Sequence, residues 1–498
     1  MTNVSYAALE KRFARLSALD DARGMLGWDQ ATMMPSGGAT ARSEQIAAIA
    51  AVCHGILTSS ELEDCLAAAE VDTESLNPWQ RANLDAMRRQ WRHATAIDED
   101  LVSALSRAAS ACEYAWRQAR RAADFALVKD QLDTLLGLVR QKADSKGAAL
   151  GLSPYDALLD SYEPGGRATD IEVVFADLAT FLPSFMSAVI EQRKSRPAPL
   201  AIGDMVPAAR QQALGERIMA QLGFNFHHGR LDVSEHPFSG GVPTDQRITT
   251  RYDESDPLTG FMAVLHETGH SLYEAGLPAE WRGQPVGVAR SMSIHESQSL
   301  LMEMQVGCSR SFLTACTPMI AESLGVGGPA WKPENLYHLA TRVAPGFIRV
   351  DADEVTYPAH VMLRFDLERA MIAGNLRVAD LPGAWNEGMK RLLGIVPPSD
   401  QDGCLQDIHW YDGAFGYFPT YTLGAMTAAQ LMAAARKTGP AIDLGISKGD
   451  LTPLLAWLQK NIHARASSLP IPDLVTAATG EPLHAKYFKD HLSARYLD

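Results

Sequence analysis

From residue 4 to about residue 150 apolar side chains recur at intervals of three and four, in stretches rich in Ala, Leu and Arg. The pattern breaks at Pro35-Ser36-Gly37-Gly38 and at Asn77-Pro78. This spacing gives each segment one apolar stripe and predicts long antiparallel helices. A loop-like stretch, Tyr162-Glu163-Pro164-Gly165-Gly166, comes next, after which Val174, Phe175, Leu178, Leu182, Phe185 and Val189 carry the helical period through 171–192. The apolar run 173–190 is interrupted by Asp177 and Pro183, which predicts a buried helix rather than a membrane span. The β signal lies between 224 and 252, where 229–233 and 247–252 are short runs flanked by Gly240-Gly241 and Pro243. Such a sheet could offer an edge strand to an extended peptide, or be a plain hairpin, and the sequence leaves both open. After residue 300 the pattern is helical again, with turn-rich breaks at 325–333 and 397–403. The expected fold class is mainly α with one small β-sheet, without internal repeats or low-complexity segments.

A chain of 498 residues usually divides into two or three domains, although a large helical enzyme can form one body around a cleft. Hydrophobic residues at 46% and charged residues at 21% supply an ordinary globular core. A net charge of −14 argues against nucleic acid and against an anionic membrane surface as main partners. Glu10, Lys11, Arg12, Arg15, Asp20, Asp21 and Arg23 interrupt the first thirty residues, so no signal-peptide core is expected and the location expected is the cytoplasm. The six cysteines show no CxxC spacing, as reduced thiols would, and Cys308 and Cys316 are assigned to packing.

The chemistry concentrates in His266-Glu267-Thr268-Gly269-His270. Histidines four apart lie on one helix face and can reach one metal ion, with the glutamate between them in reach of a water on that ion. Asp256 suits an N-cap, Pro257 a first helical position and Gly276 a C-cap, which places the motif mid-helix. Phe261, Leu265 and Leu272 would pack inward, with His266, His270 and Tyr273 as a neighbouring stripe. A catalytic zinc usually has three protein ligands, so one more must come from elsewhere. The arrangement that continues with Gly and His three and six residues on is excluded, because Tyr273 and Gly276 stand there. Glu296, in Ser293-Ile294-His295-Glu296-Ser297-Gln298, is the favoured third ligand, although Ser293 and Glu296 also fit a capping box. Glu303, two turns further on the same face, is the rival that spacing leaves open.

Several segments together resemble the M32 metallocarboxypeptidases, the family of thermostable carboxypeptidase Taq. They are His236-Pro237-Phe238, Asp245-Gln246-Arg247-Ile248-Thr249, 266–270, His295-Glu296-Ser297-Gln298, Ile348-Arg349-Val350-Asp351-Ala352-Asp353 and Gly403-Cys404-Leu405-Gln406-Asp407-Ile408-His409-Trp410. The opening Trp28-Asp29-Gln30 with Met33-Met34-Pro35 extends the likeness over nearly the whole chain. The resemblance implies a helical, saddle-shaped, gluzincin-like peptidase fold with a deep cleft and a small sheet beside the metal helix. It implies a single catalytic domain over 1–498, with a helical part to about 200 and a metal-bearing part from about 201, usually in a homodimer. It also implies Zn2+, with Co2+ as the other candidate, held by His266, His270 and Glu296, and Glu267 acting on water to release C-terminal residues from peptides.

Other roles follow from chemistry beside the resemblance. His409 and Tyr421 are the expected oxyanion donors, with Tyr417 and Tyr411 as close competitors and Tyr417 also placed against the substrate. Arg349 suits a peptide's free carboxylate, against the plainer expectation of an ion pair with Asp351 or Asp353. Arg247 is implied to close the cleft, against a simple pair with Asp245; His236 is a candidate substrate donor or pocket wall, against a turn histidine. His227-His228 fit no ligand spacing and read as loop residues. Peptides are the expected partners. An oligopeptide endopeptidase of the related helical-cleft class and a non-catalytic peptide-binding scaffold are the competing readings.

Overall fold

The computed structural model describes residues 3–234 and 237–497, so the expectation for His236 falls outside the described residues. The three-and-four periodicity becomes the helices Val4–Thr32, Ala39–Leu57, Ser60–Glu70, Pro78–Thr95, Glu99–Ala122 and Lys129–Leu150. There are more breaks than the two the pattern marked, and their causes are local. Ser59 and Asp98 cap new helices by accepting from Leu62 N at 3.3 Å and Leu101 N at 2.7 Å. Ala123 ends its helix in the left-handed conformation, φ 54°.

The chain forms two compact units, one of residues 1–94, 198–340 and 424–483, the other of 95–197, 341–423 and 484–498. In the first unit the N-terminal helices close around Leu9, Phe13, Leu62, Leu66 and Met87. A larger core gathers Phe261, Leu265, Tyr273, Ile294, Phe312 and Leu431 around the helix Pro257–Ala275. Each such side chain, fully buried, contributes about 1.5–3 kcal/mol. Leu272, expected in the core, is only half-buried and packs at its margin, while Tyr273 takes the interior place.

Beside that helix lies a sheet of β1 (Gly229–Val233), β2 (Phe238–Val242) and β3 (Asp245–Thr250) in the order β1-β3-β2. β1 runs parallel to β3 with Arg230 opposite Arg247, and β2 pairs antiparallel with β3. β2 went unrecognised in the sequence because its Gly240-Gly241 reads as a turn. Alternation gives β3 two faces. Gln246, Ile248 and Thr250 are buried, and Gln246 accepts a hydrogen bond from Ser271 of the helix Pro257–Ala275. Arg247 lies on the other face, its guanidinium 4.6 Å from the ring centre of Trp28.

In the second unit Phe365, on the helix Tyr357–Ile372, meets Phe175 and Tyr155 edge-on at 5.2 and 5.8 Å. The helix Ala168–Lys194 is long and apolar enough to cross a membrane by length and composition. Ile171, Phe175, Leu178, Leu182, Phe185 and Val189 form its buried stripe, and Val173 is 72% exposed. It is thus buried along one face rather than throughout, as the apolar run suggested.

Candidate metal centre and active site

The helix that carries His266 and His270 starts and ends where its sequence marks it. Asp256 accepts from Thr259 N at 3.2 Å, Pro257 is the first helical residue, and Gly276 follows the last turn. Glu296 lies on the helix Met292–Leu300, which is capped by Ser291 accepting from Ile294 N at 3.2 Å. The capping box from Ser293 is therefore not formed, and the Glu296 carboxylate is free to face the two rings. Its Oε2 lies 3.3 Å from His270 Nε2 and 3.8 Å from His266 Nε2.

Gly269 makes that approach possible. A Cβ there would fall 2.4 Å from Gln298 O and 2.7 Å from Ser299 Cα, so the two helices pass backbone against backbone.

The other ring nitrogens are already spoken for. Nδ1 of His266 donates to Glu303 at 2.7 Å, and Nδ1 of His270 donates to the His295 carbonyl at 3.1 Å. Both partners are acceptors, so Nε2 is the nitrogen each ring can turn to a metal, His266 on giving up its second proton. Glu303 thus takes the back of His266 rather than a place among the ligands. It sits in a π-helical stretch, Leu301–Gly307, where the wider turn departs from the α-helical register that its spacing assumed. Glu274, one turn beyond His270, holds His295 Nε2 at 2.9 Å, and the His295 ring stacks on His270 at 4.5 Å.

His266, His270 and Glu296 offer three ligand atoms within 4.8 Å of one another. Metal–ligand bonds of about 2.0–2.1 Å in tetrahedral array need ligand separations of roughly 3.4 Å, so small side-chain rotations close this set around one ion. Charges agree. Burial pulls against a charged His266 ring, but Glu296 and Glu303 raise it to about 10, while burial and the neighbouring His295 lower His270 to about 4. Although burial opposes it, His266 and His270 lower Glu296 to about 2. In the absence of metal the site keeps a proton on His266, where a cation would sit in its place. Burial raises Glu267 to about 7, with Glu296 and Glu303 adding to the effect against His266, and its Oε2 is buried without a hydrogen-bond partner. The residues present therefore fit a divalent metal and a water beside it.

The second unit gathers a different group. Arg349, 5% exposed, donates to Asp407 Oδ1 from Nη2 at 2.7 Å and from Nε at 3.1 Å, and to Tyr357 Oη from Nη1 at 2.8 Å. Neither Asp351 nor Asp353 is its partner; Asp353 instead accepts from the backbone of Ala344, Val355 and Thr356. Arg364, fully buried, donates to Asp407 Oδ2 at 2.7 Å from Nε, and the two guanidiniums hold the Asp407 carboxyl far below the usual range despite burial. Two buried cations thus share one anion, and Arg349 keeps two of its five N–H donors beyond these bonds.

His409 lies 3.4 Å through Nε2 from Tyr421 Oη, and its buried Nδ1 has no hydrogen-bond partner. Burial lowers it to about 4, against the pull of Asp407, so the ring is neutral near pH 7. Tyr417 packs beside His409 at 5.6 Å and Tyr421 at 5.2 Å. Tyr411 is removed from the competition, since it is fully buried and donates to Cys404 O at 2.9 Å. Arg247 forms the pair with Asp245, at 2.6 and 2.8 Å, that its spacing allowed. His228 accepts a loop role through Nδ1, 3.2 Å from Thr244 O. Nothing in the sequence pattern marks a role for Asp407, although it stands in the segment 403–410, and nothing marks Arg364, an arginine in mid-helix.

A family model for carboxypeptidase Taq (M32) metallopeptidases matches residues 8–496. A relative named thermostable carboxypeptidase 1 from Thermus thermophilus is 37% identical over 482 residues, 95% of this chain and 94% of its own. Its namesake from Pyrococcus furiosus is 35% identical over 490 residues, 98% and 97% of the two chains. Among solved structures, metallocarboxypeptidase 1 of Trypanosoma cruzi superimposes with a TM-score of 0.97 at 38% identity, covering 100% of both chains.

Proposed function

The chain belongs to the carboxypeptidase Taq (M32) metallopeptidase family and is a metal-dependent carboxypeptidase, and from that premise we propose how its residues divide the reaction. His266, His270 and Glu296 hold the metal, and the two-histidine, one-carboxylate donor set favours Zn2+, with Co2+ as the alternative. A divalent ion there supplies Lewis acidity towards the scissile carbonyl and the attacking water. Glu267 takes the proton of that water and passes it to the leaving amine, a task for which its buried, unpartnered oxygen beside the ligand atoms is placed. The observation that carries this reading is the Glu267 oxygen left without a partner beside three converging ligand atoms.

Arg349 receives the free carboxylate of the peptide. The cluster with Asp407 and Arg364 holds two positive charges and one negative, so it is short of an anion, and the spare N–H groups of Arg349 are the donors for one. His409, as a neutral ring, and Tyr421 donate to the oxyanion, with Tyr417 against the substrate beside them. Arg247, held by Asp245 and Trp28, limits how far a substrate extends, and His236 is kept as a pocket wall or substrate donor on its chemistry alone. The substrates are short or unfolded peptides with varied C-terminal residues, and the proposed assembly is a cytoplasmic homodimer, tested by light scattering on the purified enzyme.

A timed digest of a peptide ladder, read by mass with and without chelator, tests the reaction. Single residues should leave from the C-terminus, chelation should stop the loss, and an amidated peptide should stay whole. Cleavage of the amidated peptide would overturn the role of Arg349. Glu267→Gln should bind metal as tightly as the native enzyme and lose about 100-fold or more in kcat; near-native turnover would remove the general base.

A further inference from the structure

Glu368 lies in the helix Tyr357–Ile372, is fully buried, and has no part in the mechanism above. Its carboxylate accepts three hydrogen bonds, from Tyr155 Oη at 2.8 Å, Trp410 Nε1 at 2.9 Å and Gly416 N at 3.1 Å. Burying a carboxylate among neutral donors weighs against stability, so what these bonds contribute is geometry.

One turn earlier on the same face, Arg364 donates to Gln406 Oε1 at 2.9 Å and to Asp407 Oδ2. The two side chains therefore grip one segment on either side of His409: Gln406 and Asp407 before it, Trp410 directly after it, and Gly416 directly before Tyr417. The segment also closes on itself, with Ala414 N donating to His409 O at 2.7 Å. At its far end Gly416 has φ 89°, and a Cβ there would lie 2.8 Å from Leu159 N. Tyr155 belongs to that same short helix, Pro154–Leu159. The His409 ring packs on Phe418 with ring centres 4.5 Å apart.

We propose that Glu368 is a positioning residue for the reaction: by holding Trp410 Nε1 and Gly416 N on one carboxylate it sets the places of His409 and Tyr417. The inference rests on the reading of His409 as an oxyanion donor. In Glu368→Gln one carbonyl oxygen replaces two and an NH2 group faces a donor, so Trp410 or Gly416 loses its acceptor. A shift of about 1 Å in a catalytic group can cost up to about 100-fold.

The test measures kcat, KM, metal content and melting of the metal-loaded enzyme for Glu368→Gln, Trp410→Phe, Tyr155→Phe and His409→Ala on one peptide. Glu368→Gln and Trp410→Phe should lose about 10- to 100-fold in kcat, with KM within about twofold and metal content unchanged. Tyr155→Phe, which removes only the donor from the supporting helix, should melt lower and keep kcat within about threefold. If Glu368→Gln keeps native kcat while His409→Ala is impaired, the proposal is overturned; should Glu368→Gln fail to fold, Trp410→Phe decides by the same criterion. A His409→Ala enzyme with native kcat would instead remove the underlying role of His409, and the proposal with it.

Discussion

Replacing Gly269 by alanine adds one methyl group at the crossing of the two helices that bring the metal ligands together. The new Cβ would stand 2.4 Å from Gln298 O and 2.7 Å from Ser299 Cα, both backbone atoms that no rotamer change can move aside. Ordinary contact begins at 3.4 Å, so the helices must part by roughly 1 Å. Overpacking of this kind costs about 1–3 kcal/mol, offset by up to about 1 kcal/mol from the better helix propensity of alanine. The net loss of stability should therefore lie between about 0 and 3 kcal/mol. The effect on metal should be larger, because Glu296 lies two residues before Gln298 on the helix that yields, and ligand distances tolerate only about 0.2 Å. We expect metal affinity to fall by about 10- to 100-fold or more, as it does when groups that orient ligands are lost. A competition titration against a chromophoric chelator measures this, with Gly137→Ala as control. Gly137 also lies inside a helix, but nothing stands within 4 Å of its missing Cβ, so alanine there should stabilise slightly and leave affinity unchanged. Metal binding by Gly269→Ala within threefold of the native value would refute the reasoning.

Three further outcomes are expected. Glu303→Gln keeps an acceptor for His266 Nδ1 but removes the charge, and should weaken metal binding by about tenfold without changing the ligand set seen in the Co2+ spectrum; native affinity would deny Glu303 an orienting role. Because His266 is raised from 6.5 to about 10, the metal-free ring is protonated at pH 8, and binding should release close to one proton, seen as buffer-dependent heat in calorimetry. This raised group stabilises the metal-free fold fully below pH 6.5 and ceases to as pH climbs towards 10; flat heats across buffers would contradict the assignment. Asp407→Asn leaves two buried guanidiniums without their anion and should cost on the order of 3 kcal/mol in urea unfolding, a change under 1 kcal/mol being the contrary result.

Much of the architecture was legible because helix formation is local. Periodicity marked most helices, and Asp256, Pro257 and Gly276 marked both ends of the metal helix. What was misjudged depended on context. Ser59, Asp98 and Ala123 broke helices without a proline or a glycine pair to announce them, and β2 was hidden by the glycines that let it turn. Arg349 was singled out for a peptide carboxylate, with an ion-pair partner sought two and four residues away; the partner in the fold is Asp407, 58 positions on.

By itself the sequence determined the helical class, the pairing of His266 with His270 on one face, and the placing of Glu267 between them, since a spacing of four along one helix needs no other part of the chain. Spacing left Glu296 and Glu303 open and the resemblance favoured Glu296; tertiary structure put Glu296 before both rings and Glu303 behind His266, gave Arg349 its two-arginine cluster, and placed Glu368 against Trp410 and Gly416. Those contacts join residues dozens of positions apart. They depend on how closely two helices can cross and on which buried donor reaches which acceptor, and no local spacing encodes either distance.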